Sequence, residues 1–424
     1  MLDPQALRAH YTAFLARSHA GVAREGEAPP RILLTGHSHQ AWPDCARGAL
    51  LEAFDDAAQY VDDKWARAFE RGAVLRRYIA EQLASGPTDV VTPEQIALGQ
   101  NTHELVSRFI SALDLRSRPR IVTSSGEFHS LHRQLTRLAE AGVAVESIDA
   151  APVESLSERL AAALDDRTAA VMVSSVLFQS AAVVPHLPAL SQRAQHLGVE
   201  VLVDAYHGFG VLPLSLAQLG GEQVFVTAGG YKYAQWGEGC CFLRVPPSCQ
   251  LRPVYTGWFS DFSGLEAARD GRPVGYGATP ADRFAGSTYD SASHYRGAKV
   301  VEFFEAQRLS IDALRELSLH QTQYLIDQLF AGGLGQAQLL TPTAAERRAG
   351  FVAIRQPGAS LVTQRMRARG VLVDSRGDVL RFGPAPYLLD AELAAGVAAY
   401  FASCEGVACA LSAVNSPGRD RRCP

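Results

Sequence analysis

Two charged residues stand at the ends of apolar segments between Val199 and Leu243. Asp204 ends the apolar run VEVLVD, and Lys232 follows a glycine pair in the stretch GGYKY. Aspartate and lysine are seldom buried without a partner, so their placement here indicates a function. A lysine amine can bond to an aldehyde as an imine, and a carboxylate that faces a ring nitrogen can keep that nitrogen protonated.

The stretch IALGQNTHELV adds an anion site to these two charges. Asn101 and Thr102 stand where a short strand ends and a helix opens, and the free N–H groups at a helix start favour a phosphate. A phosphate site, a carboxylate and a lysine together suit pyridoxal 5'-phosphate, which binds lysine through a Schiff base. Taken alone, Asp204 could instead cap the helix that follows it, and Lys232 could be a surface residue.

Strand-like and helical segments alternate from about residue 45 onward. Short strands are predicted at QIALG, PRIVTSS, VAVESID, AAVMVSSVLF, VEVLVDA, QVFVTAG and GCCFLRV. Helical segments such as SLHRQLTRLAEAG lie between several of them, which predicts an α/β fold with a mainly parallel sheet covered by helices on both faces. Asp204 and Asn101 would then lie at the carboxyl ends of strands, where ligands bind in such folds.

The chain is predicted to have four parts. Residues 1–44 would form an N-terminal helix and an active-site turn that pack with the small domain, and residues 45–280 the large cofactor-binding domain. Residues 281–411 would form a smaller α+β domain, and residues 412–424 a flexible tail. Within the large domain, the helical period runs from Asp44 to Ala84, which predicts one long helical stretch.

Composition excludes several classes of function. The residues are 47% hydrophobic and 20% charged, and the formal net charge of −4 gives no attraction to nucleic acid or membrane. Seven cysteines without CxxC pairs, and an N-terminus without a signal sequence, predict a reduced, cytoplasmic protein. His129 and His132 have the spacing of a helical metal pair, but no carboxylate or thiolate accompanies them, so no metal is expected.

Seven motifs between about Leu33 and Tyr387 carry a resemblance to a known family. They are QNTHELV, GEFHS, DAYHGFG, GGYKY, TGWFSDF, FAGSTYD and LRFGPAPY. In these motifs and in their order, the chain resembles the kynureninases, within the class V aminotransferase group of fold-type I pyridoxal phosphate enzymes. The resemblance implies that fold, an amino-acid substrate and pyridoxal 5'-phosphate as cofactor.

The resemblance implies a role for each residue around the cofactor. Lys232 would form the Schiff base and move protons, Asp204 would pair with the pyridine nitrogen, and Phe128 would stack on the ring. His207 and Tyr231 would flank the cofactor, and Tyr231 would reach its phosphate. Lys232, Asp204 and Tyr231 are the residues predicted to be catalytic.

Residues that bind phosphate and substrate are implied in the same way. Asn101 and Thr102 would bind the phosphate, and Trp258 and Thr288 would reach it from the other subunit of a homodimer with shared active sites. Arg381 in LRFGPAP would bind the substrate α-carboxylate, because its planar guanidinium can form two parallel hydrogen bonds.

The chain departs from the kynureninase pattern where the substrate binds. The turn GHSHQAWP, with His37, Ser38 and His39, stands in place of Gly-Asn-Ser-Leu-Gly, and these three residues are predicted to contact substrate. No histidine follows the DKW stretch, and Thr288 replaces an asparagine. These differences favour a modified kynurenine, or another γ-keto amino acid, over kynurenine itself.

The resemblance predicts a hydrolase of amino-acid metabolism, related to tryptophan catabolism. It would cleave the Cβ–Cγ bond of a γ-keto amino acid and release a carboxylic acid and alanine. A class V aminotransferase, a β-eliminating lyase or an epimerase is the alternative. A cysteine desulfurase is disfavoured because no cysteine lies between Cys249 and Cys404, and a cofactor-dependent DNA-binding regulator because no DNA-binding module precedes residue 40.

Overall fold

The computed structural model describes residues 2–16, 31–84, 91–266 and 271–407 of the 424-residue chain. The tail predicted at residues 412–424 lies outside the described residues. No helix in the described part is long and apolar enough to cross a membrane.

The described residues form thirteen α-helices and twelve strands. The helices are α1 (Pro4–Arg8), α2 (Thr12–Leu15), α3 (Cys45–Tyr60), α4 (Lys64–Leu83), α5 (Thr102–Ser111), α6 (His129–Glu140), α7 (Leu156–Ala163), α8 (Leu187–His196), α9 (Leu216–Leu219), α10 (Ala292–Ala306), α11 (Ile311–Ala331), α12 (Ala359–Ala368) and α13 (Asp390–Cys404). The strands are β1 (Ile32–Leu33), β2 (Ile96–Gly99), β3 (Arg120–Ser124), β4 (Ala144–Ile148), β5 (Thr168–Ser174), β6 (Glu200–Asp204), β7 (Val224–Gly229), β8 (Cys241–Arg244), β9 (Val352–Arg355), β10 (Val371–Leu372), β11 (Asp374–Arg376) and β12 (Val379–Phe382).

The chain divides into two compact units. The small unit contains the described residues up to Asp44, the segment Gln179–Ala182 and those from Asp312 onward. The large unit contains Cys45–Phe178 and Val183–Ile311. Residues 281–311, which the sequence assigned to the small domain, therefore lie with the large unit, where α10 packs against α3 and α4.

A seven-stranded sheet forms the core of the large unit, in the order β2-β8-β7-β6-β5-β3-β4. The five strands from β7 to β4 are parallel, and β8 runs antiparallel to both β7 and β2. Every residue of β5 and β7 is buried, as expected for strands with helices on both faces. The predicted α/β fold with a mainly parallel sheet is confirmed.

The direction of chain winding reverses between β3 and β5. The chain adds β4 on one side of β3, whereas β5, β6 and β7 follow one another on the other side. In open parallel sheets, ligands bind in the crevice outside the carboxyl ends of the strands at such a switch point. The segments that follow β3, β5 and β6 therefore face the place where a ligand is expected.

Two of the predicted helices are interrupted. The helical stretch from Asp44 to Ala84 breaks at a 3₁₀ turn, Val61–Asp63, where Val61 has a φ of 50°. Asp62 and Asp63 thereby precede α4, where negative charge suits the positive end of the helix dipole. The N-terminal helix is two short helices, and α2 restarts because the Asp44 carboxylate accepts hydrogen bonds from the Thr12 N–H (2.8 Å) and hydroxyl (2.6 Å).

The small unit contains a three-stranded antiparallel sheet, in the order β11-β12-β9, and the helices α12 and α13. A separate parallel pair joins β1 to β10. The β1 strand leads into the turn Gly36–Gln40, and the Gly36 N–H donates to the Gly383 carbonyl at 2.9 Å just after β12. The turn that carries His37 is thus held beside the strand that carries Arg381.

Candidate active site

Asp204 lies at the end of β6 near the centre of the large sheet. The residues before it, Val201 to Val203, are buried, and Asp204 pairs with Ser174 of β5 and Thr227 of β7. Its carboxylate accepts a hydrogen bond from the Tyr206 N–H at 2.9 Å. Burial raises the pKa of Asp204, and the Tyr206 N–H and the charge of Lys232 oppose that rise. The carboxylate is therefore held inside the protein by a backbone donor and a nearby cation.

Lys232 lies in a tight loop after β7. The Gly230 N–H donates to the Cys240 carbonyl, and the Trp236 N–H donates to the Gly230 carbonyl, both at 2.8 Å. Glycine is required at position 229, because a Cβ there would overlap Cys241 Sγ and the Tyr206 hydroxyl. The glycine pair lets the lysine backbone approach the sheet, and the side chain of Lys232 is buried.

Aromatic rings surround the lysine amine. Lys232 Nζ lies 4.3 Å from the ring centre of Tyr206, 5.1 Å from that of Phe128 and 5.4 Å from that of Tyr231. His207 Nε2 is 3.0 Å from the same amine. The lysine amine is thus placed among aromatic rings and within hydrogen-bond distance of His207.

A cavity of about 180 Å³ joins these residues to the start of α5. Seven residues predicted from the sequence to bind the cofactor line it: Asn101, Thr102, Phe128, Asp204, His207, Tyr231 and Lys232. The wall between them is completed by Tyr206, Glu238, Gly239 and Cys241 among others. The structure thus brings the lysine, the carboxylate and the helix start together around one space.

The start of α5 provides the electropositive end of the cavity. Asn101 caps the helix, since its Oδ1 accepts a hydrogen bond from the Glu104 N–H at 2.9 Å, and Glu104 Oε2 in turn accepts from the Gln100 N–H at 3.2 Å. Because the Asn101 side chain is used in this cap, the anion-binding capacity here comes from backbone N–H groups and the helix dipole. Binding of a phosphate by Asn101 and Thr102 stays a prediction.

Phe128 lies at the start of α6, in the segment that follows β3. Its ring lies 5.4 Å from the Phe178 ring and 6.0 Å from that of His207. These rings form an apolar wall of the cavity that suits the face of a planar aromatic molecule.

Glu127, in the same GEFHS motif, is a buried carboxyl that sequence reasoning missed. It is 4% exposed and accepts hydrogen bonds from Ser124 and Ser174. The only signal in the sequence was a glutamate directly after a buried strand and beside Phe128. That signal is weak, because glutamates at strand ends are usually in solvent.

Trp258 and Thr288 lie together but do not line the lysine cavity of their own chain. Trp258 Nε1 donates a hydrogen bond to Thr288 Oγ1 at 3.3 Å. Trp258 is 46% exposed, and the adjacent Phe262 is 48% exposed. Two of the residues predicted to bind near the phosphate are thus presented to solvent at a surface of the large unit.

Arg381 and His37 converge on Phe351 in the small unit. The Arg381 side chain is 2% exposed, and its Nη2 and Nε lie 2.5 Å and 3.1 Å from Asp374 Oδ1, across the β11–β12 pair. The guanidinium carbon lies 5.8 Å from the Phe351 ring centre, and the buried His37 ring stacks on the same ring at 4.7 Å. The arginine predicted to bind a carboxylate already has one carboxylate partner, Asp374, that the sequence did not reveal.

Ser38 and His39 complete the turn after His37. The Ser38 hydroxyl donates to the Thr35 carbonyl at 3.2 Å, and the Thr35 hydroxyl donates to the His39 carbonyl at 3.0 Å. His39 is exposed, whereas Ser38 is buried. These contacts explain a structural role for the turn, and a substrate contact for either residue stays a prediction.

Comparison with known proteins finds sequence similarity to kynureninases. A family model described as the kynureninase C-terminal domain matches residues 314–399. A kynureninase of Bacillus cereus (strain ATCC 10987 / NRS 248) is 26% identical over 362 residues, which is 81% of each chain. An uncharacterized aminotransferase of Bacillus subtilis (strain 168), YcbU, is 23% identical over 84% of this chain and 91% of its own length.

Solved structures share the fold at lower identity. A mutant of C-DES with glycine covalently linked to its PLP cofactor superposes with a TM-score of 0.73 at 20% identity, over 86% of this chain and 94% of that one. A cysteine desulfurase from Thermococcus onnurineus NA1 gives a TM-score of 0.73 at 16% identity, over 96% and 100% of the two chains.

The glycine before the lysine loop gives a direct test of the site geometry. We expect Gly229→Ala to lower the free energy of unfolding by roughly 1–3 kcal/mol, because the added methyl group overpacks the contact with Cys241 and Tyr206. Urea unfolding followed by circular dichroism would measure the change. Gly48→Ala in α3 is the matched control, since a Cβ there meets no atom within 4 Å. Equal stability of the Gly229→Ala variant and the wild type would contradict the packing.

Proposed function

We propose that this chain, a kynureninase-like member of the class V group of fold-type I enzymes, is a pyridoxal-phosphate-dependent hydrolase. It would cleave the Cβ–Cγ bond of kynurenine, a modified kynurenine or another γ-keto amino acid, and release a carboxylic acid and alanine. The observation that carries the proposal is the cavity shared by buried Lys232, half-buried Asp204 and the start of α5. The free cysteines, none of which is paired within the described part of the chain, suit the cytoplasm as its compartment.

The residues around the cavity fit pyridoxal 5'-phosphate by their chemistry. Lys232 would bond to its aldehyde, Asp204 would face its ring nitrogen, and Phe128 would lie against its ring. The N-terminus of α5, with Tyr231, would hold its phosphate. Each residue offers the group that one part of the cofactor requires: an amine, an anion, an apolar face and a set of N–H donors.

Proton transfer is the main task of the protein in this reaction. When bound, the cofactor supplies an electron-accepting ring that stabilises negative charge at the substrate Cα. Lys232 can take the proton from that carbon and return one later, and His207, 3.0 Å from its Nζ, restricts the positions of the amine. The aromatic rings around Lys232 exclude water from the amine, which limits proton exchange with solvent.

Arg381 is proposed to bind the substrate α-carboxylate. Asp374 contacts Nε and Nη2, so this carboxylate fixes the plane of the guanidinium from one edge. The guanidinium lies near the buried, stacked pair of His37 and Phe351. The departures from the kynureninase pattern at residues 37–39 support a modified kynurenine, or another γ-keto amino acid, over kynurenine itself as substrate.

The reaction can be tested directly with cofactor-loaded protein. We expect wild-type protein to convert L-kynurenine, 3-hydroxy-L-kynurenine or a ring-substituted analogue into equal amounts of aromatic acid and alanine. Lys232→Ala should produce neither, because it lacks the amine that moves the proton. Alanine would be measured by chromatography and the aromatic acid by its fluorescence.

Transfer of the amino group to a keto acid, with no alanine from any keto substrate, would favour the aminotransferase alternative. A change of cofactor absorbance with an amino acid, but without cleavage, would leave a lyase or an epimerase. Either result would contradict the hydrolase proposal.

The role of Arg381 predicts a selective change in substrate affinity. We expect Arg381→Lys to raise KM about tenfold or more, because an ammonium cannot form the two parallel bonds of the guanidinium. The cofactor absorbance should persist, and kcat should change less than KM, if the lost interaction is uniform binding. Arg376→Lys is the control, since Arg376 contacts the same Asp374 at 3.4 Å but is exposed. An unchanged KM in Arg381→Lys would exclude the assigned role.

A homodimer with shared sites is proposed from an exposed apolar surface. Between residues 254 and 274 several large apolar side chains are more than 45% exposed: Val254, Tyr255, Trp258, Phe262, Leu265 and Val274. An apolar patch of this extent on a soluble protein usually marks an interface. A groove of about 860 Å³ along α5 and α6 adjoins the lysine cavity, and both are lined by His103 and Ser130. A second copy covering these surfaces would bring its Trp258 and Thr288 to the phosphate end.

Subunit complementation would test whether the sites are shared. Lys232→Ala and Trp258→Ala chains, each poorly active alone, should regain about a quarter of wild-type activity after co-expression, because half of the dimers would be mixed and each of those has one complete site. Co-expression of Lys232→Ala with the double variant Lys232→Ala, Trp258→Ala should restore nothing. Mixed dimers recovered with two affinity tags, but without restored activity, would show that Trp258 does not act in the partner's site.

A further inference from the structure

A second buried carboxylate lies behind Asp204, at the switch point of the sheet. Glu127 follows β3 and is 4% exposed. Its Oε1 accepts hydrogen bonds from the Ser124 hydroxyl at 2.5 Å and the Ser174 N–H at 3.2 Å, and its Oε2 accepts from the Ser174 hydroxyl at 2.6 Å. Glu127 therefore joins the end of β3 to the end of β5.

The same contacts connect Glu127 to the strand end that carries Asp204. Ser174 pairs with Asp204 in the β5–β6 register. The next residue, Ser175, donates its N–H to the Asp204 carbonyl at 2.8 Å and its hydroxyl to the same carbonyl at 3.3 Å. A movement of Glu127 would thus be transmitted to Asp204 through two neighbouring serines.

The carboxylate of Asp204 acts electrostatically on Glu127. Burial raises the pKa of Glu127 to about 7, the serine donors oppose the rise, and the negative charge of Asp204 adds to it. From β3 and β5 the groups that face it are the uncharged Ser124 and Ser174. Beyond Asp204 lie Lys232, whose charge acts on Asp204, and His207, which contacts Lys232.

We propose that Glu127 is a positioning residue for the ring-nitrogen end of the cofactor site: it fixes the strand end that bears Asp204 and places a second negative charge behind it. The inference rests on the proposed function, because it needs pyridoxal phosphate to be the ligand of the cavity. A second negative charge raises the pKa of the protonated, cationic groups of the bound cofactor. Three hydrogen bonds from protein donors and a buried position distinguish Glu127 from a carboxylate that merely ends a strand.

A purely structural role would need the shape and hydrogen bonds of Glu127 but not its charge. Glu127→Gln keeps the shape and one carbonyl acceptor, removes the charge, and turns the second acceptor into an N–H donor to which a serine hydroxyl can act as acceptor. Above about pH 7 the wild-type carboxyl is ionised, so wild type and variant then differ by one negative charge behind Asp204. The two roles therefore give different results in a pH titration.

The experiment is a pH titration of the visible absorbance of the cofactor bound to the full-length protein. We expect the midpoint in Glu127→Gln to fall by about half a pH unit or more, because loss of a nearby negative charge lowers the pKa of a cation. Glu140→Gln, at an exposed site on α6, is the matched control for loss of one charge and should keep the wild-type midpoint. An unshifted midpoint in Glu127→Gln, with the cofactor bound as in wild type, would overturn the proposal.

A second pair of variants covers the case in which Glu127→Gln does not fold. Glu127→Asp and Glu127→Asn shorten the side chain equally and differ in charge. The proposal requires a lower midpoint in the asparagine variant than in the aspartate variant, and equal midpoints would overturn it. Failure of cofactor binding is distinguishable from either result, since wild-type protein mixed with pyridoxal phosphate would then show no lysine-dependent absorbance band, and the inference would fall with it.

Discussion

The burial of opposite charges at one edge of the large sheet is the constraint on which the rest of this structure depends. An isolated carboxylate or ammonium in a protein interior costs several kcal/mol, and only close partners offset that cost. Asp204 and Lys232 lie on the cavity formed beyond neighbouring strands, and each acts on the other electrostatically. The sheet supplies rigid strand ends, so neither group can escape to solvent by a small movement of its own backbone.

Keeping Lys232 inside requires the loop that carries it to be unusually close to the sheet. Gly229 and Gly230 allow the approach, because a side chain at Gly229 would meet Cys241 and Tyr206, and one at Gly230 would meet the ring of Trp236. From α10, Arg296 donates to the Trp236 carbonyl at 2.5 Å and also binds the Glu238 carbonyl. The helix thus holds the part of the loop that follows Lys232, and it belongs with the large unit although it lies beyond residue 280. A domain boundary drawn from the sequence pattern missed this, because it did not show that α10 packs against the large unit.

The sequence predicted those parts of the fold and site that depend on local pattern. The apolar run before Asp204, the helix start at Asn101 and the glycine pair before Lys232 each lie within a few residues, and the structure has the corresponding strand, helix and loop. The break at Val61 and the antiparallel direction of β8 were not predicted, because they depend on what each segment packs against. The partner of Arg381 was missed for a similar reason: Asp374 faces it only through the register of two strands. Glu127 shows the same limit, since its burial follows from the pairing of β3 with β5 and not from its neighbours in sequence.

The charges around the cavity also favour one orientation of a bound ligand. Carboxylates of Asp204 and Glu127 lie at the strand ends, whereas the positive end of the α5 dipole lies at Asn101 and Thr102. A ligand with a basic ring nitrogen at one end and a phosphate at the other would fit in one orientation only. Reversal would set the phosphate against these carboxylates, and like charges repel strongly where water does not screen them. The charges of the site therefore favour one orientation of pyridoxal phosphate even before any bond to Lys232 forms, and that orientation brings its aldehyde to the lysine side of the cavity only when the phosphate lies at the start of α5.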